Sequence, residues 1–240
     1  VSEPTAYLHA LRASTADLVK GMLSVQWSDA EVAAPSLLPG WTRGHVLTHI
    51  ARNADGISDT LAGALRGEIL ERYRSGEARN ADIAAGAGRH FAALVADVRE
   101  SAERLDRVFG AIGDADGWDL PTEHGDPAET WVFRRWREVE IHRVDLASEY
   151  TPDRWSALFV TSVLAEALPT LSSRVTGAVR VEVIAERSVS PDYVGKSWTI
   201  GSGTPTEVQG PDWAVLAWLA GRGAAVPDAL TATPPLEPWR

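Results

Sequence analysis

Three side chains of this chain are of the right types to share one divalent cation. His49 closes the run WTRGHVLTH (Trp41 to His49), and Glu138 and His142 stand four residues apart much further along. On a helix that spacing sets a carboxylate and an imidazole one turn apart on one face. With His49 arriving from another helix, three protein donors would leave coordination positions open to water or substrate, as catalytic zinc requires. A closed structural site would normally recruit cysteine, and the chain has none.

Helical angles refine the choice of donors. At about 100° per residue, Glu138, Trp131, Leu146, Val139 and Val132 all fall within about 80° of His142, so the pair borders an apolar face. Arg137, Glu140 and Arg143 spread over the opposite side, where a solvated surface is expected, although Val144 dissents. Glu138 is therefore expected to look inward and Glu140 outward. Asp145, about 60° from His142, is placed to help orient it as an acceptor. On the earlier helix Val46, Ile50, Ala54, Ile57 and Leu61 form the apolar stripe, and His49 lies closer to it than His45. Spacing alone keeps a plainer alternative open: a partly buried histidine bonded to a carboxylate, with Glu138 and His142 as an ordinary helix-surface pair.

Other chemistry is thin. His9, His90 and His124 have no partner that the sequence names, and the run from Gly201 to Gly203 reads as a turn, lacking the context of a dinucleotide loop. Trp41 is expected to pack where the second helix begins. Neither a nucleophile elbow nor a phosphate loop occurs in the sequence. Without cysteine, any thiol chemistry must use a thiol supplied from outside.

The elements that must position these groups are mostly helical. Apolar residues recur three and four apart up to about residue 150, which predicts four long helices: Thr5 to Gln26, then Thr42 as N-cap to Arg66, Asn80 to Ile112, and from PAET (Pro127 to Thr130) to Tyr150. SDAE (Ser28 to Glu31) has the form of a capping box. Beyond Thr151 and Pro152 the pattern predicts a helix from Asp153 to Arg174, strands in AVRVEVIAER (Ala178 to Arg187) and SWTI (Ser197 to Ile200), a helix from Asp212 to Arg222, and an irregular tail. The expectation is a mainly α protein, with a four-helix bundle over 1–151 and a small α+β domain over 152–240.

Composition narrows the partners. A net charge of -10 disfavours nucleic acid and anionic membranes, both of which need a basic footprint. No stretch reaches the roughly 20 apolar residues of a membrane span, and VSEPT lacks the regions of a signal peptide, so a cytoplasmic protein acting on a small molecule is expected. No heptad seam or self-pairing strand edge calls for assembly, so a monomer is expected.

LPGWTRGHVLTHIARNAD (Leu38 to Asp55) and REVEIHRVDL (Arg137 to Leu146) together resemble the mycothiol-dependent maleylpyruvate isomerase family, as do EARN (Glu77 to Asn80) and AWLAGRG (Ala217 to Gly223). The resemblance implies a DinB-like N-terminal bundle and a divalent metal, taken as zinc, held by His49, Glu138 and His142. It further implies a catalytic arginine, Arg222, and a substrate-binding candidate, Arg79, for which an exposed loop charge is the competing account. The implied reaction is addition of mycothiol to a cis double bond, rotation and expulsion, converting maleylpyruvate to fumarylpyruvate. Two other functions stay open: thiol transfer to other electrophiles in detoxification, and a non-catalytic metal- or ligand-binding protein.

Overall fold

The helix that carries His49 starts where Thr42 caps it. Thr42 Oγ1 accepts from the His45 backbone N–H, and His45 Nδ1 accepts in return from the Thr42 N–H at 3.2 Å. This is a capping box with an imidazole in the place of the usual carboxylate. His45 is thereby committed to the helix start, and His49, one turn on, is left to face inward. In the computed structural model, which describes residues 3–239, this helix is α3 (Arg43–Leu65). Its stripe of Val46, Ile50, Ala54, Ile57 and Leu61 is fully buried.

The chain divides into two compact units, Val1–Ala147 and Ser148–Arg240. In the first, α1 (Glu3–Val25), α3, α5 (Phe91–Asp114) and α6 (Thr130–Asp145) form a four-helix bundle, with α3 against α5 and α6, and α1 against α6. The short α2 (Asp29–Val32) begins with the capping box expected at Ser28 and Glu31. In place of one helix from Asn80 to Ile112 there are two, α4 (Gly76–Gly86) and α5, separated by a turn at 87–90. Gly86 and Gly88 weaken helix there, and the break lets the Ala87 carbonyl lie directly on Gly44 of α3. A Cβ on Gly44 would come within 2.0 Å of that oxygen. The last bundle helix stops at Asp145 rather than Tyr150, because Ala147 takes a positive φ of 50° and turns the chain.

One sequence expectation is overturned within α6. Glu140 is buried, at 6 % exposure, and accepts a hydrogen bond from Ser14 of α1, which also receives the Trp136 indole N–H at 2.9 Å. A single buried face does not describe α6. This helix packs against α1 on one side and α3 on another, so a residue opposite His142 is enclosed as well.

The second unit holds α7 (Ala157–Ala167), β1 (Val179–Val183), β2 (Ser197–Ile200), β3 (Thr206–Gly210) and α8 (Asp212–Leu219). The sheet order is β2-β1-β3, with β1 antiparallel to β2 and parallel to β3. The expected Asp153 to Arg174 helix is instead a 3-10 turn at Pro152–Arg154, then α7, then a 3-10 segment at Leu168–Ser173. Pro169 lacks the N–H that an α-helix would need there. The strand β3 lies where the sequence suggested only a turn before the last helix, and that helix ends at Leu219 rather than Arg222, with Gly221 at φ 79° just beyond. The molecule is mainly α with a small α+β second unit, as expected. Among the described residues, no helix is long and apolar enough to cross a membrane.

Candidate metal centre

His49 on α3 and the Glu138–His142 pair on α6 meet inside the bundle of the first unit. His49 Nε2 lies 2.9 Å from Glu138 Oε2 and 3.0 Å from His142 Nε2, and the last two atoms are 3.3 Å apart. An ion about 2.0–2.1 Å from each donor, at angles between square and tetrahedral, requires donors about 2.9–3.4 Å apart. The three observed separations fit this range. The His49 side chain is 4 % exposed, His142 14 % and Glu138 27 %, so the cluster is enclosed but open on the carboxylate side.

The ring nitrogens that face away from the cluster decide what each imidazole can do. His142 Nδ1 lies 2.8 Å from Asp145 Oδ2, a carboxylate with no solvent exposure. An ionised carboxylate only accepts, so His142 carries its hydrogen on Nδ1 and turns the Nε2 lone pair toward the cluster, as in carboxylate-oriented metal histidines. His49 Nδ1 instead lies 3.1 Å from an Arg79 guanidinium nitrogen. Arginine only donates, so in this arrangement Nδ1 accepts and Nε2 holds the ring hydrogen toward Glu138. To bind a metal, Nε2 would pass that hydrogen to Nδ1, which would then release the Arg79 contact.

Electrostatics follow the same contacts. Burial pushes the His49 pKa down to about 4, helped by nearby His142, so this imidazole is neutral at physiological pH. Burial also opposes charge on His142, but the hydrogen bonds to Asp145 and Glu138 outweigh it and raise its pKa. For Glu138, burial is outweighed by the hydrogen bonds and charges of both histidines, which hold its carboxyl well below the usual range. Two nitrogen donors and one carboxylate suit zinc, and also iron, nickel or cobalt.

The bundle's fold and residues bear a family stamp. A family model described as the mycothiol maleylpyruvate isomerase N-terminal domain matches residues 8–147, more than half of the chain and the whole of this site. The chain belongs to the mycothiol maleylpyruvate isomerase family. A crystal structure of the mycothiol-dependent maleylpyruvate isomerase superposes with a TM-score of 0.83 at 27% identity, over 99% of this chain and 98% of that one. A structure of the mycothiol-dependent maleylpyruvate isomerase as a histidine-to-alanine mutant gives 0.82 and 26%, with the same coverage. No curated protein matches the chain.

For this isomerase-family chain, the remaining sequence candidates fall in different places. Arg79 lies on α4 rather than in a loop, half-buried, with its guanidinium 5.6 Å from the Tyr73 ring centroid and 6.0 Å from that of Trp41. Trp41 also makes an edge contact with His49, at 5.6 Å between centroids. Arg222 is in the second unit, at the N-cap of a 3-10 turn, donating to the Ala220 carbonyl at 2.5 Å. His90, read as having no partner, stands at the N-cap position of α5 without a side-chain capping bond and pairs with Asp29 at 2.9 Å. Sequence reasoning passed over Arg135, which is fully buried on α6. Its Nη1 donates at 2.8 Å to both the Ile50 carbonyl and Asn53 Oδ1, and burial lowers its pKa to about 10 against the opposing pull of Glu138. Its signal in the sequence is position: Arg135 falls three residues after Val132 and four before Val139, on the apolar stripe of the helix.

Proposed function

We propose that the protein is a cytoplasmic, monomeric, metal- and mycothiol-dependent isomerase that converts maleylpyruvate to fumarylpyruvate. The observation that carries this reading is the tripod of His49, Glu138 and His142, with donor separations that fit one ion and an open carboxylate side. Family membership and the 27% identity to a mycothiol-dependent maleylpyruvate isomerase support the substrate. A divalent metal, expected to be zinc, held by His49, Glu138 and His142 would keep the sulfur of mycothiol as a thiolate at neutral pH, the nucleophile that isomerisation by reversible addition to a cis double bond would require.

The chain's own residues have distinct tasks. His49, Glu138 and His142 hold the ion, and Asp145 fixes the His142 ring so that Nε2 faces it. Enclosure by the bundle limits water at the centre and strengthens each charge there. Arg79, already in contact with His49, is the proposed ligand of a substrate carboxylate. Arg222 is the proposed catalytic cation, holding the diacid and stabilising the enolate charge that addition creates.

Metal analysis and a maleylpyruvate assay with added mycothiol test this together. His49→Ala, Glu138→Ala and His142→Ala should each lose metal and turnover while retaining helical circular dichroism. Arg222→Ala should keep its metal and lose about 10²–10³ in kcat/KM, the usual loss for a group that stabilises developing anionic charge. Wild-type metal content in all three triad variants would defeat the metal assignment. Turnover of a chlorinated electrophile with mycothiol, in protein inert toward maleylpyruvate, would replace isomerisation by thiol transfer.

A further inference from the structure

Between α1 and α5 the bundle is not closed. A groove of about 680 Å³ runs there, within the range of small-molecule sites, and none of His49, Glu138 and His142 lines it. Buried Leu11, Leu105 and Phe109 and half-buried Val19 supply its apolar surface. Around it the sign of the charge is reversed relative to the chain as a whole. Arg12, Lys20, Arg99 and Arg107 border the groove against Glu103 and Asp106, in a protein of net charge -10. Asp106 is engaged by Arg12 at 2.6 Å and Glu103 lies 3.8 Å from Arg99, while Lys20 and Arg107 make no ion pair among the described residues.

The decisive group is Arg135, which forms part of the wall. Its Nη1 is satisfied twice, while its Nη2, covered by the wall side chains, meets no hydrogen-bond partner among the described residues. A buried cationic donor without an acceptor is costly, and proteins rarely keep one without reason. An anion in the groove, reaching Nη2 through a shift of the side chains that cover it, would supply what the fold does not.

We propose that this groove binds an amphipathic organic acid, with its apolar chain along Leu11, Val19, Leu105 and Phe109 and its carboxylate turned to the Arg135 guanidinium. The apolar surface disfavours small hydrophilic anions, and the surrounding cations disfavour the matching alcohol. The site is independent of the isomerase reading, because no metal-centre donor takes part.

The test titrates the intact protein with dansyl-undecanoic acid and displaces the probe with dodecanoate or dodecanol. Saturable binding at one site per chain is expected, with dodecanoate about ten-fold the stronger competitor. Ala102→Trp, which fills the groove from a half-buried wall position, should abolish probe binding while metal content and helicity stay unchanged. Arg135→Met should erase the preference for acid over alcohol. Chelator-treated protein should bind the probe with unchanged affinity. The proposal is overturned by any of four results: no saturable binding, equal competition by acid and alcohol, unaltered binding in Ala102→Trp, or loss of binding on chelation, which would place the acid at the metal centre instead. An acid preference that survives in folded Arg135→Met would likewise overturn the role of Arg135.

Discussion

On the proposed metal reading, His142 and Asp145 set the pH range in which the centre can be loaded. A metal needs the neutral imidazole, and the Asp145 and Glu138 contacts raise the His142 pKa, so a proton competes at higher pH than for a free imidazole. His49, with its pKa near 4, and ionised Glu138 add no competing proton until far lower pH. Metal affinity measured against a chromophoric chelator should therefore be level at alkaline pH and fall by about ten-fold per unit as pH drops through the raised His142 value. Asp145→Asn should move that onset to lower pH and weaken affinity at alkaline pH by about 10–100-fold. An onset that does not move would remove Asp145 from control of the site. Residue types, spacing and helical angle made His49, Glu138, His142 and the orienting place of Asp145 legible in the sequence. They could not show that Arg79 would donate to His49, since the pairing depends on α4, nor that Arg135 and Glu140 would be buried, since a helix enclosed from two directions has no simple solvent side.

The helix α3 presents glycine where the segment between α3 and α5 crosses it. A Cβ at Gly44 would stand 2.0 Å from the Ala87 carbonyl oxygen, and one at Gly56 would stand 2.9 Å from the Arg72 carbonyl oxygen. This segment includes α4 and Arg79, so the glycines set how closely that guanidinium approaches His49. Alanine is the better helix former by about 1 kcal/mol, yet at Gly44 the clash is with backbone and no rotamer relieves it. Gly44→Ala should lose about 1–3 kcal/mol in urea unfolding, the usual cost of overpacking, and a variant as stable as the parent would show the approach to be loose. The start of α3 at Thr42 and its core stripe were readable because local capping and periodicity agree. The break at 87–90 was not, because it answers to Gly44 some forty residues earlier in the chain. Strand β3 was missed for a similar reason: in TEVQG only Val208 is a large apolar residue, and the strand is fixed by parallel pairing with β1.

At the scale of the molecule, the mainly α architecture and the change of character near residue 150 followed from hydrophobic period alone. All three donors and Asp145 lie in the unit Val1–Ala147, while Arg222 lies in Ser148–Arg240. A chain ending at residue 147 should accordingly take up one metal per molecule and show no turnover of maleylpyruvate. A helical fragment that binds no metal would mean that the centre needs the second unit. Because the tripod and the carboxylate that orients it are complete once Asp145 has been added, a ribosome still translating the remaining codons already displays every donor, and N-terminal domains generally fold first during synthesis. On the proposed metal reading, capture of the ion can thus precede birth of the finished polypeptide.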